Sequence, residues 1–322
     1  MNIANILISN RPHLSETSVR TYKSNISKLL KSIDKEITSL KDVEDNFDLI
    51  FDKLMEYPFN IRKTKMSAFI VFLDEGELNK KNRVEMLERL RDVLFEDANK
   101  YNKRENKQSL SETQKKNYIP WTDVLKIYKR LEIQAKPLFK LDELKKSQYN
   151  TLVEYVLLSC YVLIPPRRSK DYADFVLENP DTEIDNYMYS EKKGKKTFYY
   201  FIFNSYKNSS RLGTQKIPIP TPLKNILNKW KKVQKDRSNY LISTYGGKKV
   251  SQVKINQIIS RIFNARKIGP SMLRHIYLTH QYKDVDLQKL QEDTENMGNS
   301  QISRTLKYVD KNIDEEEDEK EN

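Results

Sequence analysis

Cysteine is almost missing from this 322-residue chain. A single Cys160 excludes a disulfide framework and predicts a reducing, intracellular setting. It lies in an apolar run, where a lone thiol is expected to be a small buried hydrophobe and not a nucleophile. Histidine is scarce too: His13, His275 and His280 form no Cys/His cluster, which argues against a structural zinc site, and no metal or cofactor is expected. No apolar run reaches the roughly 18 residues that a membrane span needs. The N-terminus lacks the basic start and small-residue cleavage site of a secretory signal, so no membrane partner is expected. No internal repeat is present.

Positive charge is what the chain has in excess. Its net charge is +13, and residues 310–322 hold eight acids against two lysines, so the first 309 residues carry +19. A body this basic predicts a polyanionic partner, nucleic acid before membrane. Abundant Lys, Asn and Ile also fit an AT-biased genome, whether of a cellular host, a virus or a mobile element. The acidic tail, residues 311–322, reads as disordered.

Residues 1–105 read as a helical bundle. Ser15 or Thr17 can cap a helix whose apolar stripe is Val19, Tyr22, Ile26, Leu29, Leu30 and Ile33. Phe47 to Met55 makes a second helix, stopped near Pro58, and Ile61 to Leu73 a third. Val84, Leu87, Leu90, Val93, Leu94 and Tyr101 mark a fourth. Lys23, Lys28, Lys31, Arg62, Lys63 and Lys65 fall on polar faces, available as a group to a DNA backbone. Residues 106–120 sit in a polar, charged stretch without apolar period and read as a linker. Residues 121–310 form a second domain. Thr122 can cap a helix to about Gln134, and a stronger helix from Ser147 to Ile164 ends at Pro165-Pro166. Three aromatic and β-branched runs follow: Tyr187 to Ser190, Thr197 to Asn204 and Gln215 to Ile219. They predict a small antiparallel sheet, within a mainly α, α+β chain. Helical pattern then returns from Pro222 to Lys232 and again from Val253.

The chemistry is concentrated between Pro270 and Asp310. Met272, Leu273, Ile276 and Tyr277 recur at helical spacing after Pro270, placing Arg274 in the first turns of a helix. Gly298 breaks a second helix, and Tyr308 follows near the end of a third. Two helices can thus bring a guanidinium and a phenol to one phosphodiester, the first to hold the phosphate and the second to attack it.

Ser271-Met272-Leu273-Arg274-His275, then Met297-Gly298-Asn299-Ser300, then Tyr308 resembles the C-terminal signature of the tyrosine recombinases (phage-integrase family). Asn299 to Tyr308 spans nine residues and Arg274 to Tyr308 thirty-four, both family spacings. The resemblance implies a catalytic domain over residues 121–310 behind a helical DNA-binding bundle, the pair clamping duplex DNA as a dimer or tetramer. It implies Tyr308 as nucleophile. It also implies Arg168, in Arg168-Ser169-Lys170-Asp171, as the first arginine, with Arg167 the alternative by one register step, and Arg274 as the second. Lys207 falls at the family's lysine, on the turn between the second and third strands. Lys193, Lys195 and Lys196, on the preceding turn, compete with Lys207 for that role and are otherwise expected, with Arg211, to contact DNA, and His275 is expected to be a hydrogen-bonded support. Two positions depart from the pattern: Ser271 and Asn299 stand where the family usually has histidine, so the usual base for the tyrosine proton is missing. Asn299 can still donate a hydrogen bond to a phosphate oxygen. Two alternatives to an integrase remain open, a type IB topoisomerase-like enzyme and a DNA-binding protein without cleavage. Should Tyr308 not be the nucleophile, Tyr277 and Tyr282 come next.

Overall fold

The computed structural model describes residues 1–74, 78–105, 110–264, 266–282 and 287–298, and the chain divides into two compact units, Met1–Lys107 and Gln108–Asn322.

The first unit packs α1 (Ile3–Asn10), α2 (Glu16–Leu30), α3 (Leu40–Asp45), α4 (Phe47–Met55), α5 (Phe59–Leu73) and α6 (Lys80–Glu105). Ser15 caps α2 by accepting the Ser18 amide at 3.2 Å. Helix α5 is the hub. It contacts α1, α2, α4 and α6, and buries Met66, Ala68, Phe69, Phe72 and Leu73 in place of a single stripe. Asn10 ties α1 to its end, donating to the carbonyls of Val71 and Phe72 at 2.9 and 3.1 Å. The sequence pattern passed over α1 and α3, which are too short to show a helical period. Two of the basic residues assigned to polar faces turn inward. Lys65 is 5% exposed, with its ammonium 4.6 Å from the centre of the Tyr57 ring. Arg62 forks onto Asp97 at 2.6 and 2.8 Å.

The second unit opens with α7 (Glu112–Asn117), a helical turn inside the stretch read as linker, held by a capping box between Ser111 and Gln114. Next come α8 (Trp121–Ala135), α9 (Lys146–Val162) and the short α10 (Ser169–Ala173). Pro120, not Thr122, occupies the N-cap of α8. Strands β1 (Phe175–Val176), β2 (Asn186–Lys193), β3 (Lys196–Phe203) and β4 (Gln215–Pro218) follow, with α11 (Ser209–Leu212) before β4. Helices α12 (Thr221–Gln234), α13 (Gln252–Ile262), α14 (Pro270–Tyr282) and α15 (Leu287–Asn296) complete it. Helix α9 is buried nearly all round, from Tyr149 to Tyr161, and α8, α12 and α13 pack on it.

The sheet differs from the antiparallel expectation. It runs β1-β2-β3-β4, and β1 pairs in parallel with β2, so the sheet is mixed. A two-residue strand has no period to read. Its addition moves the Lys207 turn to between β3 and β4. Phe201 and Ile217 pair side by side on the face that joins the core, where Phe175 packs edge-on to Phe201 with ring centres 5.2 Å apart.

Cys160 lies in that core, and burial pushes its thiol up to about 12. Native protein is therefore expected to leave it unlabelled by a thiol reagent at neutral pH, with labelling tracking global unfolding. Rapid labelling of the native state would contradict its placement.

Candidate functional site

Pro165-Pro166 follow the end of α9, and the chain runs extended through Arg168, which takes the N-cap position of α10 at φ −76°, ψ 153°. Neighbouring side chains on extended backbone leave on opposite sides, and the two arginines part company. Arg167 goes inside and is 0% exposed, while Arg168 stays half-buried. Arg167 Nε donates to Asp171 Oδ2 at 2.7 Å, and its Nη1 donates to the carbonyl of Asn296. Its guanidinium lies 3.9 Å from the centre of the Phe203 ring and 5.4 Å from that of Tyr206. Burial raises the pKa of Asp171, and the charges of Arg167, Arg168 and Arg274 oppose that rise. Removing the Arg167 charge strands a buried carboxylate, so Arg167→Met is expected to cost about 3–5 kcal/mol in denaturant unfolding. A loss within experimental error would contradict this pairing.

The lysine turn, residues 204–208, is shaped by a side chain that no motif marks. Asn186 Oδ1 accepts the amides of Asn204 and Ser205 at 2.9 and 2.8 Å, and its Nδ2 donates to the Ser205 and Asp171 carbonyls. One buried amide therefore joins the lysine turn to the arginine segment. Tyr206 turns inward, its hydroxyl donating to the Gly213 carbonyl at 2.7 Å, and leaves Lys207 exposed. Asn208 Nδ2 donates to the Gly298 carbonyl at 2.6 Å.

The third segment is the end of α15. A helix leaves its last carbonyls unpaired and carries negative partial charge there, so cations and amides collect on it. Gln215 donates to the Glu295 carbonyl, Arg167 to that of Asn296, and Arg168 to those of Met297 and Gly298 at 3.5 and 3.3 Å. Gly298 has φ +67°, and a Cβ there would meet the Tyr206 ring at 3.2 Å, so the position demands glycine.

Arg274, 6% exposed on α14, lies near enough to Asp171 and Tyr161 for its positive charge to lower the pKa of both. Ser271 is exposed in the first turn of α14. It lines an open cleft of about 300 Å³ with Thr113, Gln114, Asn117, Lys267 and His275. His275 Nε2 accepts from Gln114 Nε2 at 3.1 Å, while Gln114 Oε1 accepts the Ser111 amide. This imidazole is a hydrogen-bonded prop. Tyr277 and Tyr282 donate to Asp293 at 3.2 and 2.5 Å and are buried. Burial and the Asp293 charge push the Tyr277 phenol up, so these tyrosines are poorly placed to attack anything.

Of the residues marked by sequence, the fold thus gathers Arg167, Arg168, Asp171, the Lys207 turn, Gly298 and Arg274. Arg211 is exposed on α11, and Lys193, Lys195 and Lys196 surround the hairpin tip at Gly194, with Lys193 3.3 Å from Glu191. Tyr308 and Asn299 lie outside the described residues. Asn186 and Asn208 went unmarked; Asn208 could have been found as the neighbour of Lys207, whereas nothing in the sequence distinguishes Asn186. Among the described residues no group of three His, Cys, Asp or Glu side chains could hold a metal ion, and no helix is long and apolar enough to cross a membrane.

Neither a protein-family model nor a curated protein sequence matches the chain. Among solved structures, lambda integrase residues 75–356, a dimer bound to a COC′ core site, aligns with TM-score 0.50 at 13% identity over 96% of this chain and 94% of that one. XerA recombinase aligns with TM-score 0.40 at 13% identity over 98% and 97%. XerH site-specific recombinase, bound to its difH substrate in a pre-cleavage complex, aligns with TM-score 0.46 at 13% identity over 99% and 94%. The chain has the helix-rich fold with a small sheet seen in the lambda integrase structure.

Proposed function

We propose that this protein binds duplex DNA and cuts and rejoins it as a site-specific tyrosine recombinase. One observation carries the reading. The Gly298 carbonyl accepts hydrogen bonds from both Arg168 of the arginine segment and Asn208 of the lysine turn. Three stretches far apart in sequence, each marked for a role at one phosphate, are thereby drawn together, and the charge of Arg274 reaches Asp171 beside Arg168.

In this reading Arg168 and Arg274 bind the non-bridging oxygens of the scissile phosphate and neutralise charge as it builds in the transition state. The Tyr308 oxygen attacks phosphorus and its proton passes to water, since Ser271 stands where the family's base would be. The bond to the 5′ oxygen breaks, and Lys207 protonates that oxygen as it leaves. The products are a 3′-phosphotyrosyl link and a free 5′ hydroxyl. The 5′ hydroxyl of a second strand then attacks the link and releases the phenol, so the phosphodiester count is unchanged and no ATP is required by the chemistry. Exchange between two duplexes needs several protomers, so in this reading the chain acts on DNA as a homo-oligomer.

Ser271 favours a second reading, binding without cleavage, because a hydroxyl is a poor proton acceptor where the family carries imidazole. The test is a pool of nicked duplexes of random sequence, incubated with the protein and washed under denaturing conditions. Recovery of a defined sequence attached to the protein supports the recombinase. Tight, sequence-selective binding with no attached strand supports the second reading.

The basic body sets a further expectation. Each phosphate neutralised by Lys or Arg releases counterions, so log affinity should fall linearly with log salt, with a slope of about −0.9 per phosphate contacted. A slope of several units is expected by fluorescence anisotropy; a flat response would remove the electrostatic case for DNA.

A further inference from the structure

Two adjacent arginines compete for one role in the sequence, and only one faces the open side of the site. That leaves a fully buried guanidinium to be explained. A buried ion pair is a weak stabiliser, since desolvation offsets most of its Coulomb gain, and a pair of apolar side chains in place of both Arg167 and Asp171 would fill the same space at least as well. Arg167 is nevertheless held on several sides: Asp171 on Nε, the Asn296 carbonyl on Nη1, the Phe203 face at 3.9 Å, and Gly298 so close to Nη2 that a Cβ there would lie 3.5 Å from it.

We propose that Arg167 is a positioning residue: tied to Asp171 and to the Asn296 carbonyl, it sets where the chain leaves α15 towards Asn299 and Tyr308, relative to Arg168 and Lys207. The inference rests on the recombinase reading and deepens it. Asp171 lies on α10, directly after Arg168, and its own carbonyl is held by Asn186, which also shapes the Lys207 turn. Through one guanidinium the phosphate-holding arginine, the lysine turn and the departure point of the tyrosine segment share a frame. Only a planar fork can serve it. A lysine ammonium lacks the geometry to bridge Asp171 and Asn296 while lying flat on Phe203. Asn208 and Gln215 hold the neighbouring carbonyls, of Gly298 and Glu295, and back up the same anchor.

Displacing a nucleophile by about 1 Å can slow attack on the order of 10²-fold without weakening binding. This differs from losing the proton donor. If the bridging 5′ oxygen of the substrate is replaced by sulfur, the thiolate leaves without being protonated, so Lys207→Ala recovers on that substrate. A misplaced nucleophile does not. The experiment uses the full chain and the site recovered from the random pool, and compares wild type, Arg167→Lys and Lys207→Ala. It reads DNA affinity, single-turnover attachment on oxygen and sulfur substrates, and hydrogen exchange at the Met297 and Gly298 amides. For Arg167→Lys we expect near-wild-type affinity, attachment slowed on the order of 10²-fold on both substrates, and faster exchange at both amides. Unchanged attachment, recovery on the sulfur substrate, or unchanged exchange would each overturn the proposal. Where Arg167→Lys fails to fold, Asn208→Ala on the lysine turn, where the side chain is half-buried, reads the same anchor and should show the same pattern more weakly; wild-type behaviour there overturns it equally. A wild type that attaches to no duplex overturns the recombinase reading itself, and with it the anchor's catalytic meaning, before any variant is compared.

Discussion

Tyr308→Phe is expected to abolish covalent attachment to DNA while barely changing affinity. The substitution removes one oxygen and leaves the ring. If that oxygen is the nucleophile, the two tyrosines next in line cannot replace it, because Tyr277 and Tyr282 are buried and committed to Asp293. As a binding contact the hydroxyl contributes only about 0.5–1.5 kcal/mol, against a salt-dependent phosphate interaction spread over many lysines and arginines. Rate and affinity should therefore separate almost completely. Denaturing gels of a nicked duplex measure the first and anisotropy the second. Attachment that persists in Tyr308→Phe would show that another residue attacks.

Arg168→Ala and Arg274→Ala are each expected to slow attachment by roughly 10²- to 10³-fold, the range for removing one preorganised donor to a developing oxyanion. The two variants should differ in stability. Arg168 is half-buried and leans on two carbonyls, so its loss should move the melting temperature little. Arg274 is 6% exposed and its charge bears on Asp171, so alanine there removes a counter-charge from the interior and should lower the melting temperature as well. Arg168→Ala is the cleaner probe. If its single-turnover rate matches wild type, the arginine assignment is wrong.

The helices that carry apolar stripes were legible in the sequence, and the second helix, Phe47 to Met55, matches α4 residue for residue. Helical break at Gly298 was legible too, because glycine is the residue that tolerates positive φ. What escaped was short or internal. The two residues of β1 have no period, and α10 and α11 are short helices in segments where the sequence pattern marks no element. The choice between Arg167 and Arg168 could not be made from spacing, since either register keeps an acid near by. It depends on which side of an extended strand faces the core, and that is fixed by contacts to Phe203 and Asn296, far away in sequence. Asn186 escaped for the same reason: its importance lies in holding two backbone segments, and no pattern of residue types records that.

A recombinase of this kind links DNA to itself through Tyr308. Peptide mass spectrometry of the strand trapped from the nicked-duplex pool tests it most directly. The expected product is a nucleotide joined through its 3′ phosphate to the peptide containing Tyr308, with a 5′ hydroxyl on the released strand. A nucleotide found on a different residue, a 5′-linked adduct, or a tightly bound site that never yields an adduct would contradict it.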